Sequence, residues 1–259
     1  YNGPGNNFDG VSALALDSFG NVYVTGQSYG SGANYDYATI KYGPNGDTLW
    51  VRRYNGLLNA DDNANALVLD NAGNVYVTGT SNSTTAGDYV TIKYGPNGDI
   101  LWGASYNGPD NNEDNALALA VDNFGNVYVT GRSWWSGTGY DYTTVKYNVN
   151  GDTLWVRRYN GISNWTDRPI SLAVNDSGNV YVTGESGVET NYDWATVKYA
   201  PNGDTLWVRR YNGPADSSDV PSAMVIDSKK NVYVAGYSRG SGSSLDYTTI
   251  KYAECFDKP

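Results

Sequence analysis

The chain has 259 residues, 40% of them hydrophobic, with 31 Gly, 24 Tyr and only 17% charged residues. It carries a net charge of −10, one Cys and no His. One sizeable core is affordable, short strands are favoured over helices, and His-based nucleophilic sites, His-ligated metals and an internal disulfide framework are excluded.

The acidity argues against nucleic acid, which needs clustered Lys and Arg. No apolar run approaches 18 residues, so no membrane insertion is expected. The chain begins at Tyr1 without an initiator Met or a signal peptide, so it is expected to be a mature product or a fragment.

Taken in order, Ser12–Leu16 reads as a short, largely apolar strand. Asp17-Ser18-Phe19-Gly20-Asn21 is a turn, because Asp bonds its own backbone and Gly takes a positive φ at no steric cost. Val22–Thr25 is a β-branched and aromatic strand, and Gly26 is expected to end it. A loop through Tyr29–Gly32 follows, then a third strand over Tyr37–Tyr42. Gly43-Pro44-Asn45-Gly46-Asp47 carries hairpin-turn chemistry, and Thr48–Tyr54 is a fourth strand.

The same order then repeats. Gly20–Gly26 returns as Gly73–Gly79, Gly125–Gly131 and Gly178–Gly184, and with two changes as Lys230–Gly236. The spacing is 52 or 53 residues, which is the mark of a propeller or an array. A lone four-stranded sheet cannot bury both faces, but radially stacked sheets cover each other. The reading is all-β: one domain over 1–259, with units at about 1–53, 54–105, 106–158, 159–210 and 211–259.

Three motifs recur in each unit: Asp-x-x-Gly-Asn-Val-Tyr-Val-Thr-Gly, Tyr-Asp-Tyr-x-Thr-Ile-Lys-Tyr and Asn-Gly-Asp-Thr-Leu-Trp-Val-Arg-Arg-Tyr-Asn-Gly. They resemble the bacterial β-propeller repeat family whose name assumes seven blades. The resemblance covers residues 1–252 and implies a propeller used in extracellular and cell-surface proteins of varied roles. Here five units imply a five-bladed ring. The last unit lacks the Leu-Trp strand, so its third strand is expected at an edge that could pair with another chain, unless Ala253–Pro259 or the first residues cover it.

Two acidic sets recur. Asp9, Asp62, Asp114, Asp167 and Asp219 precede the first strand of each unit, and Asp36, Asp88, Asp141, Asp193 and Asp246 open the third. One reading is a cation-attracting face that could hold Ca²⁺. The other is architecture, with each Asp capping amides or pairing with a repeated Lys or Arg of a neighbouring blade. The EF-hand spacing is missing, and no other cofactor is expected.

Unrepeated residues are the better binding candidates. Trp134 and Trp135 lie in a second-to-third strand loop, Trp165 in a fourth-to-first loop, and Tyr29 and Tyr237 in related loops. Aromatic faces beside Asp and Asn suit sugar rings; the alternative reading packs Trp134 or Trp135 over a blade edge. Trp50, Trp102, Trp155 and Trp207 are expected between blades. Lys41, Lys93, Lys146, Lys198 and Lys251 are expected to pair with a repeated Asp. Blade two departs at Gly103-Ala104-Ser105, where other blades carry Val-Arg-Arg.

The leading functional expectation is a non-catalytic extracellular interaction or structural module with a protein or glycan partner. A lectin-like carbohydrate-binding propeller is the first alternative. A carboxylate-based glycosidase or lyase is the second, for no Glu among Glu113, Glu185, Glu189 and Glu254 stands out as a positioned acid.

Overall fold

The computed structural model describes residues 1–32, 34–82, 86–188 and 191–253. Among them there is no helix; nineteen strands form five antiparallel sheets. The first sheet orders β1 (Asp9–Leu16), β2 (Val22–Tyr29), β3 (Tyr35–Tyr42) and β4 (Thr48–Tyr54) side by side. The second does the same with β5 (Asp62–Leu69), β6 (Val75–Asn82), β7 (Gly87–Tyr94) and β8 (Ile100–Tyr106). The third comprises β9 (Asp114–Val121), β10 (Val127–Trp135), β11 (Gly139–Tyr147) and β12 (Thr153–Tyr159). The fourth comprises β13 (Asp167–Val174), β14 (Val180–Val188), β15 (Asn191–Tyr199) and β16 (Thr205–Tyr211). The fifth has three strands, β17 (Val220–Ile226), β18 (Val232–Arg239) and β19 (Leu245–Tyr252).

The expectation that Gly26 ends the second strand is corrected. β2 continues through Gly26 to Tyr29, and β1 begins at Asp9. The physical reason is a bulge in β1 between Val11 and Ala13. It pushes the Gly10 carbonyl to where a Cβ on Gly26 would overlap it. The same bulge recurs opposite Gly79, Gly184 and Gly236.

The chain divides into two compact units, Tyr1–Val129 with Lys146–Leu154, and Thr130–Val145 with Trp155 onward. In the first, Tyr23, Tyr37, Trp50, Val75, Val77, Ile92 and Tyr94 form a buried cluster. In the second, Tyr181, Trp194, Met224, Val232 and Val234 do so. The repeated tryptophans pack on the following sheet as expected. Trp50 Nε1 donates to the Pro96 carbonyl at 3.1 Å, and Trp155 Nε1 to the Pro201 carbonyl at 3.1 Å.

The repeated lysines lie over tyrosine rings, and Asp122 also attracts Lys146. Lys41, Lys93, Lys146, Lys198 and Lys251 each place Nζ 5.0–5.4 Å from the ring centre of a tyrosine in the same sheet. Cross-strand register sets this, since Tyr23 lies opposite Lys41, and the ring face attracts the ammonium.

Among the described residues β19 has no strand on its second side. Tyr247 is 101% exposed, whereas its repeat equivalents Tyr37, Tyr89, Tyr142 and Trp194 are fully buried. Cys255 and most of Ala253–Pro259, on which the edge expectation turned, lie outside the described residues.

Candidate functional site

The first acidic set holds loops. Oδ2 of Asp9, Asp62, Asp114, Asp167 and Asp219 accepts the amide of Gly3, Gly56, Gly108, Gly161 and Gly213 at 2.8, 2.6, 2.5, 2.6 and 2.5 Å. Each loop also carries a left-handed residue: Asn6, Asn59, Asn111, Asn164 or Asp216. Burial pushes the Asp167 carboxyl up to about 6, against hydrogen bonds from Ser186 and Gly161. Burial likewise raises Asp62.

The second set pairs within its own sheet, not with a neighbouring blade. Arg53 contacts Asp36 at 2.7 Å, Arg210 contacts Asp193 at 3.3 Å, and Arg158 contacts Asp141. Asp246 accepts from Ser243 Oγ at 2.5 Å. Asp88 faces Ser105 instead of an arginine. Among the described residues no group of three or more His, Cys, Asp or Glu converges on one point.

Four of the five aromatic candidates lie in the second unit; Trp134 and Trp135 end β10 and Tyr237 lies on β18, where loops were expected, and Trp165 is in a loop. Trp134 packs edge-on to Tyr140 at 5.0 Å, and the Arg132 guanidinium lies 4.5 Å from the Tyr140 ring centre. Trp135 is covered by Arg158 at 4.5 Å, so its ring face serves packing. Trp165 is 46% exposed and follows the left-handed Asn164. Its backbone lies against Gly139, where a Cβ would stand 3.7 Å from the Trp165 carbonyl carbon. Tyr237, 38% exposed, sits on β18 opposite Val220 and Tyr247. Tyr29 belongs to the first unit and packs edge-on to Tyr35 at 5.2 Å.

Glu185 is the residue that sequence reasoning passed over. It lies on β14 opposite Arg168, next to the Asp167–Ser186 pair. Burial raises its carboxyl, with Arg168 pulling back. The Tyr142 hydroxyl lies between strands here. It donates to the Ala195 carbonyl at 3.3 Å, and a Cβ on Gly184 would stand 2.7 Å from it. Its proton is held well above the usual range by burial, then by Asp167, and further by Glu185. Ser163 Oγ donates to the Gly187 carbonyl at 3.0 Å, which joins the Trp165 loop to the end of this strand. A signal was present: the five residues at this repeat position are Gln27, Thr80, Arg132, Glu185 and Tyr237, all different within a constant motif.

In the first unit two clefts open beside the β1–β2 and β5–β6 turns. One, of 370 Å³, is lined by Asp17, Phe19, Lys41 and Asp70; the other, of 420 Å³, by Asp70, Lys93, Asp122 and Phe124. Phe19 and Phe124 are 81% and 77% exposed.

Comparison with known proteins places this geometry. A glucose dehydrogenase structure superposes with a TM-score of 0.54 at 12% identity, over 95% of this chain and 82% of that one. The periplasmic gluconolactonase of Pseudomonas aeruginosa gives 0.52 at 11%, over 93% and 72%. An ulvan lyase of a polysaccharide lyase family gives 0.50 at 11%, over 93% and 70%. A WD repeat-containing protein of Acanthamoeba polyphaga mimivirus is 23% identical over 88% of this chain, which spans only 19% of that protein.

These neighbours overturn the leading expectation of a non-catalytic scaffold. The three solved proteins named above are a dehydrogenase, a lactonase and a lyase, and the carbohydrate alternative fits them better. The absence of histidine does not exclude an enzyme, because carboxylates alone can carry acid–base work on saccharides when burial tunes their proton affinity. The beta-propeller repeat family model matches residues 49–84 and 110–135, and the chain carries repeats of that family.

Proposed function

We propose that this chain is a carbohydrate-active propeller of five blades, with its sugar site in the second unit, at the Trp165 loop and the adjoining ends of β10 and β11. The observation that carries the reading is the exposed Trp165 on a loop whose backbone lies against Gly139 at the start of β11, beside the Trp134–Tyr140 pair and Arg132 of β10 and β11, and whose Ser163 is tied to the strand that bears Glu185. The exposed Trp165 ring offers an apolar face to a pyranose. Arg132 and Arg168 supply donors for hydroxyl or carboxylate groups of the sugar. Glu185, kept protonated more readily than a free Glu, transfers its proton to the leaving glycosidic oxygen as the C–O bond breaks; water then adds to the anomeric carbon and returns a proton to the carboxylate. Asp167 is held by Gly161 and is buried, so its part is to hold the loop that carries Trp165 and not to touch substrate. The sugar chemistry of the neighbouring folds supports the reading by analogy alone. The same reading puts the protein outside the cell, where polymeric saccharides are met.

The test is incubation of the purified chain with a panel of neutral and acidic polysaccharides, following new reducing or unsaturated ends and binding together. Turnover lost in Glu185→Gln with binding kept, and both lost in Trp165→Ala, is the expected pattern. Absence of both binding and turnover across the panel rejects the proposal.

A further inference from the structure

The arginine that ends the outer strand of the first sheet sits in a defined cage. Arg53 donates to the Asp36 carboxylate at 2.7 and 3.2 Å, to Ser28 Oγ at 2.6 Å, to the Ser28 carbonyl at 2.8 Å and to the Tyr1 hydroxyl at 3.1 Å. Arg210 in the fourth sheet repeats this. It donates to Asp193 at 3.3 Å, Ser186 Oγ at 2.6 Å, the Ser186 carbonyl at 2.9 Å and the Tyr159 hydroxyl at 3.0 Å. Two copies of one pattern in different sheets show that the cage belongs to the repeat.

The second sheet keeps every acceptor of this cage and lacks the arginine. Asp88, Ser81 and Tyr54 stand at the positions of Asp36, Ser28 and Tyr1, and Ser105 stands at that of Arg53. In place of a guanidinium there is a cavity of 290 Å³, lined by Tyr54, Ser81, Asp88 and Ser105, with Leu57 and Leu58 at its side. A recess of 250 Å³, lined by Gly103 and Ala104, adjoins it through Tyr54 and Ser105. No hydrogen bond reaches the Asp88 carboxylate among the described residues, and burial raises its proton affinity. Leu57 is fully exposed and Leu58 half-exposed, although nothing in the repeat demands leucine there.

We propose that this cavity binds a guanidinium group from outside the chain, which takes the place that Arg53 and Arg210 occupy in their own sheets. The recognition is by a planar fork. Asp88 and the Ser81 carbonyl accept from one edge, Ser81 Oγ and the Tyr54 hydroxyl from the other, and the aliphatic stem lies along Leu57 and Leu58. An ammonium has the charge but not the fork, so it binds less well. The site lies in the first unit and does not depend on the sugar reading.

The experiment titrates N-acetyl-arginine amide, ethylguanidinium and N-acetyl-lysine amide into the 259-residue chain at low salt, with calorimetry as readout. Saturable binding of both guanidinium compounds in the millimolar range, and at least about tenfold weaker binding of the lysine compound, is expected. Ser105→Arg supplies the missing group in cis. It should abolish binding and raise the melting temperature. Asp88→Asn, which keeps the side-chain volume, should weaken binding at least about tenfold with the fold intact. A glycine-flanked arginine peptide that binds more tightly than the capped amino acid assigns the group to a protein partner; equal affinity assigns it to a free small molecule. No saturation by guanidinium, equal affinity for the lysine compound, or unchanged binding in Ser105→Arg overturns the proposal.

Discussion

Arg53 and Asp36 form an ion pair at 2.7 Å in which the carboxylate is almost wholly buried and the guanidinium is about four-fifths covered. Arg53→Ala leaves that carboxylate with the longer Asn34 Nδ2 contact at 3.3 Å in place of the guanidinium and opens Ser28. The expected loss is about 2–3 kcal/mol of unfolding free energy, read by urea titration. Arg53→Lys should recover less than half of it, because one ammonium cannot bridge Asp36, Ser28 and Tyr1.

The turn before β6 depends on acceptors more than on charge. Asp70 accepts from the amides of Ala72 and Asn74 at 2.9 Å each, from Asn74 Nδ2 at 2.7 Å and from the Tyr76 hydroxyl at 3.0 Å. In the fourth sheet Asn175 holds the same turn, with the Ser177 and Asn179 amides both at 3.0 Å. Asp70→Asn should therefore cost under about 1 kcal/mol and Asp70→Ala about 2. Burial alone would raise the Asp70 carboxyl, but the hydrogen bonds from Asn74, Tyr76 and Ala72 bring it below its ordinary value. Its contribution is present above pH 4 and is lost as pH falls through the lowered value. Melting curves of Asp70→Asn should be flatter than wild type on that acid limb.

Asp167 has the opposite sign. Its folded pKa of about 6 lies above the unfolded value, so the folded state binds the proton more tightly. Its contribution to stability is greatest below pH 4 and falls away as pH rises to about 6. Asp167→Asn should remove a decline on the order of 2 to 3 kcal/mol across that interval. A difference plot of melting temperature against pH, wild type minus variant, gives the sign directly.

Two glycines separate backbone conformation from crowding. Gly46 has φ +86° with nothing within 4 Å of an added Cβ, so Gly46→Ala should cost about 1 kcal/mol. A Cβ on Gly79 would overlap the Asn63 carbonyl and stand 2.8 Å from both the Ala64 Cα and the Tyr37 hydroxyl. Gly79→Ala should cost about 3 kcal/mol. Equal losses in the two variants, measured by denaturant unfolding, would contradict the bulge explanation.

Periodicity was legible because each motif obeys local chemistry. Asp17 closes its own turn, Gly20 takes a positive φ at +79°, and the Val-Tyr-Val run alternates its faces in a strand whatever surrounds it. The extension of β2 past Gly26 was not legible. It depends on a bulge in another strand, which no property of Gly26 announces.

The candidate site divides in the same way. Trp165 stands out in the sequence as a candidate because it is unrepeated and lies in a loop, and the structure leaves it part-exposed. Glu185 does not stand out in the sequence because its raised proton affinity arises from burial beside β13, which outweighs the opposing pull of Arg168 across the strand pair. The sequence by itself determined the strands, the turns and the repeat, since these depend on residues within about ten positions of each other. Only the tertiary structure decided which charges are paired. Asp36 and Arg53 stand 17 residues apart, and Asp88 differs from Asp36 by what a neighbouring strand does or does not supply. Burial and partner, not residue type, set the free energy of a charge in a protein interior.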